Sequence, residues 1–227
     1  MQIESLKEIY QNNRQNKKET VLKSEQNGYF HNVTTESYPK KLKKHQIKIM
    51  NFKNYQQLSK RTCNDLGSLQ LNLSHMVLGI ISEHEEYLEA INKRDMVNAR
   101  EEQADKMFYV ANYCTFRGFD LGDFENYEVP ENQYGLWEIY TSKLADYVKK
   151  FIAYGKPINE DLEREALQKI IISIGEANSS FNFEKDLQIN VDKLKARFPD
   201  KYSDELANNR DLEKEREILE EKFKYDV

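Results

Sequence analysis

The sequence predicts an all-α protein, and three observations support that fold class. The 227 residues include only eight glycines and four prolines, about half the usual combined share of these residues. Charged residues make up 32% of the chain. From Phe52 onward, apolar residues recur at the three- and four-residue spacing of amphipathic helices. Sandwiches and barrels need many more turn residues, so long helices packed around a core are favoured.

Residues 1–49 are predicted to be a polar, basic leader, and residues 50–227 are predicted to be the folded domain. Residues 1–50 contain ten basic and five acidic residues, for a net charge of +5, whereas the remainder has a net charge of −10. A polar segment of this kind is usually solvated or disordered, and a nucleic-acid-binding arm is the alternative. Nucleic acid is not expected as the main ligand of the acidic domain.

The apolar spacing predicts seven helices in the domain. They are expected at 52–58, 69–91, 99–116, 137–154, 160–177, 183–196 and 205–223. Glycine and proline residues mark 117–135 as a loop. Asn159 is a suitable N-cap for the helix at 160–177, and either Ser203 or Asp204 is expected to cap the last helix.

Several classes of protein are not expected from this sequence. No run of about 18 apolar residues occurs, so a membrane span is not predicted. The first residues lack the charged-then-apolar pattern of a secretory signal. Cys63 and Cys114 fit neither a disulfide framework nor a four-ligand zinc site. We therefore expect a cytoplasmic protein.

Four carboxylates on two consecutive predicted helices form the most informative pattern. Glu83-x-x-Glu86 is followed by Glu102-x-x-Asp105, and residues three apart project from one face of a helix. The short connection predicts that the two helices are antiparallel neighbours. Carboxylates beside apolar positions cost free energy unless cations neutralise them. Mg²⁺, which prefers oxygen ligands, is the expected cation.

Spacing alone leaves another explanation of these carboxylates open. A di-iron bundle is disfavoured because it needs Glu-x-x-His repeats, and neither His75 nor His84 follows an acid by three residues. A solvated acidic face with ion pairs one helical turn apart, such as Glu102 with Lys106, explains the spacing as well as a metal site does.

The two acidic segments resemble the metal-binding helices of the MazG-like, all-α nucleoside triphosphate pyrophosphohydrolases. The segments are LGIISEHEEYLEAI (78–91) and REEQADKMFYVANY (100–113). That superfamily has an ExxE pair, a spacer and an ExxD pair, which the four acids match in order. The residues around the acids depart from the family pattern, which leaves substrate preference open. These departures are Ser82, Glu85, Ala104 and Lys106.

The end of the chain is similar to the end of the same family. Residues 190–217, NVDKLKARFPDKYSDELANNRDLEKERE, match an Asn-x-x-Lys-Leu-x-x-Arg-aromatic-Pro pattern followed by Asn-Arg-Asp. Tyr109 matches an aromatic residue common one turn beyond the ExxD aspartate. The resemblance spans about 50–220 and implies a four-helix-bundle core, with the active helix pair at 76–113 and a phosphate-binding tail at 183–223.

Residues 137–178 resemble the active helix pair at 76–113 a second time. We interpret them as a degenerate internal repeat that lacks the metal ligands. The alternative is that two amphipathic helix pairs look alike by chance. In the repeat register, Tyr140 and Lys143 replace the first acidic pair, Glu165 keeps one acid of the second, and Lys169 replaces the aspartate.

The resemblance implies Mg²⁺-dependent hydrolysis between the α and β phosphates of a nucleoside triphosphate. The products are a nucleoside monophosphate and pyrophosphate. Glu83, Glu86, Glu102 and Asp105 would bind the metal, with Mn²⁺ as a substitute, and Glu86 is the expected general base for the attacking water. Two substrate ranges stay open: the enzyme could be specific for dUTP or dCTP, or it could remove a broad range of nucleoside triphosphates from the nucleotide pool.

The tail implies a clamp for the triphosphate that contains Asn190, Lys193 and Arg197. A surface helix with ordinary ion pairs is the alternative for these residues. Tyr109 is expected to line the base or sugar pocket, or else to fill the core. The relatives generally form dimers or larger oligomers, which favours a homodimer; the alternative is that the internal repeat replaces one such interface. The alternative function is a non-catalytic helical interaction or regulatory protein whose carboxylates are surface charge or a regulatory metal site.

Overall fold

A computed structural model describes residues 50–126 and 136–223, and all regular secondary structure in these ranges is helical. This confirms the predicted all-α class. The leader at 1–49 and the part of the predicted loop at 127–135 lie outside the described residues. The elements are α1 (Phe52–Lys60), α2 (Leu69–Lys93), α3 (Met96–Arg117), a 3₁₀ turn (Leu121–Phe124), α4 (Leu136–Tyr154), α5 (Glu160–Ala177), α6 (Phe183–Arg197), α7 (Asp204–Asn208) and α8 (Leu212–Phe223).

Helices α2 and α3 are joined by only two residues. Arg94 ends α2 in the left-handed conformation, with φ of 57°, and its backbone N–H donates to the carbonyls of Ala90 and Ile91. The next residue, Asp95, caps α3, because its side chain accepts a hydrogen bond from the backbone N–H of Asn98. The predicted interruption at 92–98 is therefore too long. Two packed helices with so short a connection run antiparallel, as the sequence predicted.

Helices α2, α3, α5 and α4 contact one another in a closed circuit, α2 with α3, α3 with α5, α5 with α4 and α4 with α2. Their inward faces consist of long aliphatic and sulfur-containing side chains that are removed from water. Each such side chain contributes about 1.5–3 kcal/mol by burial. Fully buried members include Leu73, Met76, Ile80, Met107, Val110, Leu144, Leu167 and Ile170. Helices α1 and α6 pack on the α3 side of this core.

The single last helix predicted at 205–223 is interrupted. Ser203 caps α7, and α7 ends at Asn208. The side-chain amides of Asn208 and Asn209 donate to the carbonyls of the first turn of α7, both at 2.8 Å, which competes with continued helical hydrogen bonding. Asp211 then begins α8 by accepting from the N–H of Lys214 at 3.1 Å. Residue 210 consequently lies in a turn.

Within the described ranges, no helix combines the length and the apolar character needed to cross a membrane.

Candidate metal centre

Three carboxylates from two helices converge on one point. Helix α2 provides Glu83 and Glu86, and α3 provides Glu102; one oxygen atom from each lies within 4.8 Å of the other two. Glu102 is only 5% exposed, Glu83 is half-buried and Glu86 is exposed. Oxygen ligands of one Mg²⁺ lie about 2.1 Å from the ion, so small side-chain adjustments would let all three carboxylates bind the same cation.

The environment disfavours negative charge on this cluster. Burial raises the pKa of Glu83 and of Glu102, and the negative charge of Asp105 raises both further. Burial and Asp105 also raise the pKa of Glu86. A hydrogen bond joins the Glu83 and Glu102 carboxyl groups, and such a bond requires a proton on one of them. A divalent cation would replace that proton and remove the repulsion.

Asp105, the fourth predicted ligand, lies next to the three converging carboxylates but is bound by the tail helix α6. Its oxygens accept from the Asn190 side-chain amide at 2.5 Å and from the Lys193 ammonium at 2.6 Å. Tyr55 of α1 orients Asn190 by donating to its amide oxygen at 2.8 Å. Two of the predicted tail residues, Asn190 and Lys193, thus lie beside the acidic pairs.

Lys193 is a buried cation with two anionic partners. Its side chain is 1% exposed, and its Nζ atom contacts Glu101 at 2.9 Å as well as Asp105. Burial alone would lower the pKa of Lys193, but the charges of Asp105 and Glu101 outweigh it and the pKa is raised. The ammonium therefore stays charged. In this structure its role is to neutralise Asp105 inside the protein.

Arg197, the third predicted clamp residue, contacts α8 instead of the carboxylates. Its Nε atom donates to Glu215 at 2.8 Å. Glu215 also accepts from Arg210 at 2.8 Å, and these hydrogen bonds outweigh burial and lower the pKa of Glu215 to about 2. Arg210 was not among the predicted site residues. Its charge nevertheless acts on Glu86, and the Asn-Arg-Asp part of the tail motif was the signal that could have identified it.

Tyr109 lies on α3 beside the carboxylate cluster. Burial raises the pKa of its hydroxyl, and the charges of Glu83 and Asp105 add to that effect. Its ring packs edge-on against His75, with centroids 5.7 Å apart. On α2 the ring faces Gly79, where an added Cβ would lie 2.3 Å from the ring carbons. Gly79 is therefore the residue that lets the ring fit between α2 and α3.

Replacing Gly79 by Ala is expected to destabilise the protein by about 1–3 kcal/mol, because the new methyl group overlaps the Tyr109 ring. In a helix without such a neighbour, the same change would stabilise by about 1 kcal/mol. Urea unfolding of Gly79→Ala tests this. The double variant Gly79→Ala/Tyr109→Leu should recover most of the loss, whereas a single variant more stable than wild type would contradict the contact.

A second cation, Lys106, lies in an aromatic pocket next to the cluster, and the sequence patterns did not predict this pocket. Its side chain is 1% exposed, and its Nζ atom lies 4.3 Å from the Tyr87 ring centroid and 4.7 Å from that of Trp137. His84 stacks on Trp137 with centroids 4.3 Å apart. Burial lowers the pKa of Lys106 to about 7, while Glu102 and Glu83 act in the opposite direction. Such a pocket forms only when α2, α3 and α4 assemble.

Comparison of the chain with protein-family models, with curated proteins and with solved structures found no match. The family resemblance stays a prediction.

Proposed function

We propose that the protein is a Mg²⁺-dependent nucleoside triphosphate pyrophosphohydrolase that produces a nucleoside monophosphate and pyrophosphate. One observation carries the proposal, namely the convergence of Glu83, Glu86 and Glu102 within 4.8 Å. Mg²⁺ typically contacts a protein through a few carboxylates and completes its octahedron with water and substrate phosphates. Carboxylates whose pKa values are raised by burial and by one another are also common at catalytic sites.

The residues of the centre fit distinct roles in this reaction. The half-buried Glu83 and the buried Glu102, which are hydrogen-bonded to each other, would bind the metal together with Asp105. The bound metal would supply charge neutralisation for the phosphates and acidify a water molecule. Glu86 is the exposed member of the cluster, so it can reach bulk solvent and accept the proton of the attacking water. Mn²⁺ would substitute for Mg²⁺ because both accept oxygen ligands.

We also propose that the core is a four-helix bundle with a degenerate internal repeat. The closed circuit of contacts among α2, α3, α5 and α4 is what a four-helix bundle requires. At the repeat positions in α4 and α5, the Tyr140 hydroxyl donates to Glu165 at 2.8 Å. The ammonium of Lys143 lies 4.3 Å from the Tyr140 ring centroid. Tyrosine and lysine residues replace three of the four acids at these positions, which supports a second half that needs no metal.

Product analysis with a panel of canonical and modified ribo- and deoxyribonucleoside triphosphates tests the proposed function. Pyrophosphate and monophosphate are expected with Mg²⁺, and no turnover is expected after chelation with EDTA. Release of orthophosphate with a diphosphate product would show cleavage at a different bond. If no triphosphate in the panel is hydrolysed, the enzyme proposal is wrong and a non-catalytic helical protein is the better interpretation.

Mg²⁺ is expected to raise the melting temperature more at pH 8 than at pH 6. The raised pKa values of Glu83 and Glu102 mean that the metal-free native state binds more protons than the unfolded state above pH 4.5. Its stability therefore falls as pH rises. Mg²⁺ at 100 times its Kd would add about 2.7 kcal/mol, or several degrees. Calorimetric scans in matched KCl are the control, and an equal shift at both pH values would contradict the site.

A further inference from the structure

Arg210 occupies the turn between α7 and α8 and is fixed there by one carboxylate. Its Nη2 atom donates to Glu215 at 2.8 Å, and its side chain is 42% exposed. Among the residues that the structure describes, Glu215 is its hydrogen-bond partner. A guanidinium has five N–H donors in a rigid planar arrangement, so donors remain for a ligand that approaches from solvent.

Glu215 does not neutralise Arg210, because Arg197 already pairs with the same carboxylate. Both Arg197 nitrogens Nε and Nη2 donate to Glu215, one to each oxygen. The side chains of Arg197 and Glu215 are 15% and 6% exposed, respectively. Two guanidinium groups on one carboxylate leave a net charge of +1. Of the two guanidinium groups, that of Arg210 is the more exposed to solvent.

The residues that bind Glu215 connect Arg210 to the Asp105 side of the carboxylate cluster. Arg197 follows Lys193 by one turn of α6, and Lys193 contacts Asp105 at 2.6 Å. The Glu215 carboxylate, which Arg210 shares with Arg197, is therefore bound one helical turn from that contact. The charges of Asp105 and Glu101 in turn act on Arg210. Lys193, by contrast, is 1% exposed and paired with Asp105 and Glu101, so a bulky polyphosphate could not contact it without breaking buried ion pairs.

We propose that Arg210 contacts the phosphates of the substrate, and that Arg197 is a positioning residue that fixes Arg210 through Glu215. This inference rests on the proposed function, because it names the group that completes the triphosphate site of the same centre. Planar guanidinium groups form paired hydrogen bonds with phosphate oxygens. The interruption of the predicted last helix leaves Arg210 in the connection at 209–211 and not within a helix.

Arg210→Gln tests the contact, with Arg216→Gln as the matched control. Arg216 lies on α8 with 39% exposure and pairs with Asp95 and Glu220. We expect Arg210→Gln to raise KM for the preferred triphosphate about 10- to 100-fold, with a smaller change in kcat. The melting temperature should stay near wild type because Glu215 keeps Arg197. Arg210→Lys should recover part of the affinity. Unchanged KM in Arg210→Gln would overturn the inference.

The positioning role predicts a different pattern for Arg197. Arg197→Gln should raise KM and also lower the melting temperature, and Arg197→Lys should restore stability more fully than KM. If Arg197→Gln loses stability but leaves KM unchanged, the positioning role is wrong.

Failure of the proposed function is recognised separately, as absence of turnover by the wild-type protein. In that case, titration calorimetry with inorganic triphosphate in Mg²⁺ still tests the contact. An equal Kd for wild type and Arg210→Gln would overturn it, and a 10- to 100-fold difference would support it.

Discussion

Replacing Glu83 by Gln is expected to remove catalysis and, at the same time, to stabilise the metal-free protein. Glu83 and Glu102 share a hydrogen bond while Asp105 repels both, so at pH 8 the metal-free cluster stores unfavourable charge. Gln keeps the shape and the hydrogen bond but carries no charge. We expect a gain of about 1–3 kcal/mol without metal, and a loss of Mg²⁺-dependent pyrophosphate release of about 100- to 1,000-fold.

Opposite effects on stability and activity distinguish a metal site from a structural ion network. Removing one partner of a structural buried ion pair is strongly destabilising, whereas removing one charge from a group of mutually repelling carboxylates should be stabilising. Glu85→Gln is the matched control, because Glu85 lies between Glu83 and Glu86 in the sequence and is exposed. Melting scans in EDTA and pyrophosphate assays in Mg²⁺ measure the two effects. Retained activity in Glu83→Gln would reject the site, and a lower melting temperature would give Glu83 a structural role.

Local patterns predicted the helices well wherever caps and apolar spacing agreed. Asn159 caps α5 as expected, accepting from the N–H of Leu162 at 3.0 Å. The errors occur where the hydrogen bonds of individual polar side chains begin or end a helix. Asp95 begins α3 earlier than the apolar spacing indicated. Asn208 and Asn209 end a helix whose charge pattern gave no reason to stop. These helix ends depend on individual side-chain hydrogen bonds and not on the periodicity of apolar residues.

The candidate site shows the same division between local and long-range information. Two residues three positions apart share a helix face, so the pairing of Glu83 with Glu86 followed from spacing alone. Lys193 and Arg197 also lie on one face of α6, yet Lys193 contacts α3 and Arg197 contacts α8. Helix periodicity gives the direction of a side chain but not the element that packs there. For the same reason, the contacts of Lys106 with Tyr87 and Trp137 were not predicted.

Replacing Lys193 by Met is expected to destabilise the protein by about 3–5 kcal/mol, because it leaves Asp105 and Glu101 without their buried cation. Met nearly preserves the volume of the side chain, so the loss reports charge and not a cavity. Lys195→Met is the matched control, since Lys195 lies on the same helix and is exposed. Urea unfolding in EDTA at pH 8 measures both variants.

The Lys193→Met variant also tests how strongly the Asp105 carboxylate depends on a neighbouring cation. Asp105 is 22% exposed as a side chain, too little for water to replace the Lys193 ammonium fully. Asp105→Asn in the double variant should therefore recover a large part of the loss. Mg²⁺ should also stabilise the Lys193→Met variant more than wild type, because the ion can supply the missing positive charge next to Asp105. A loss below about 1 kcal/mol, in the range of exposed ion pairs, would show that Lys193 is solvated and free to bind phosphate as the tail motif implied.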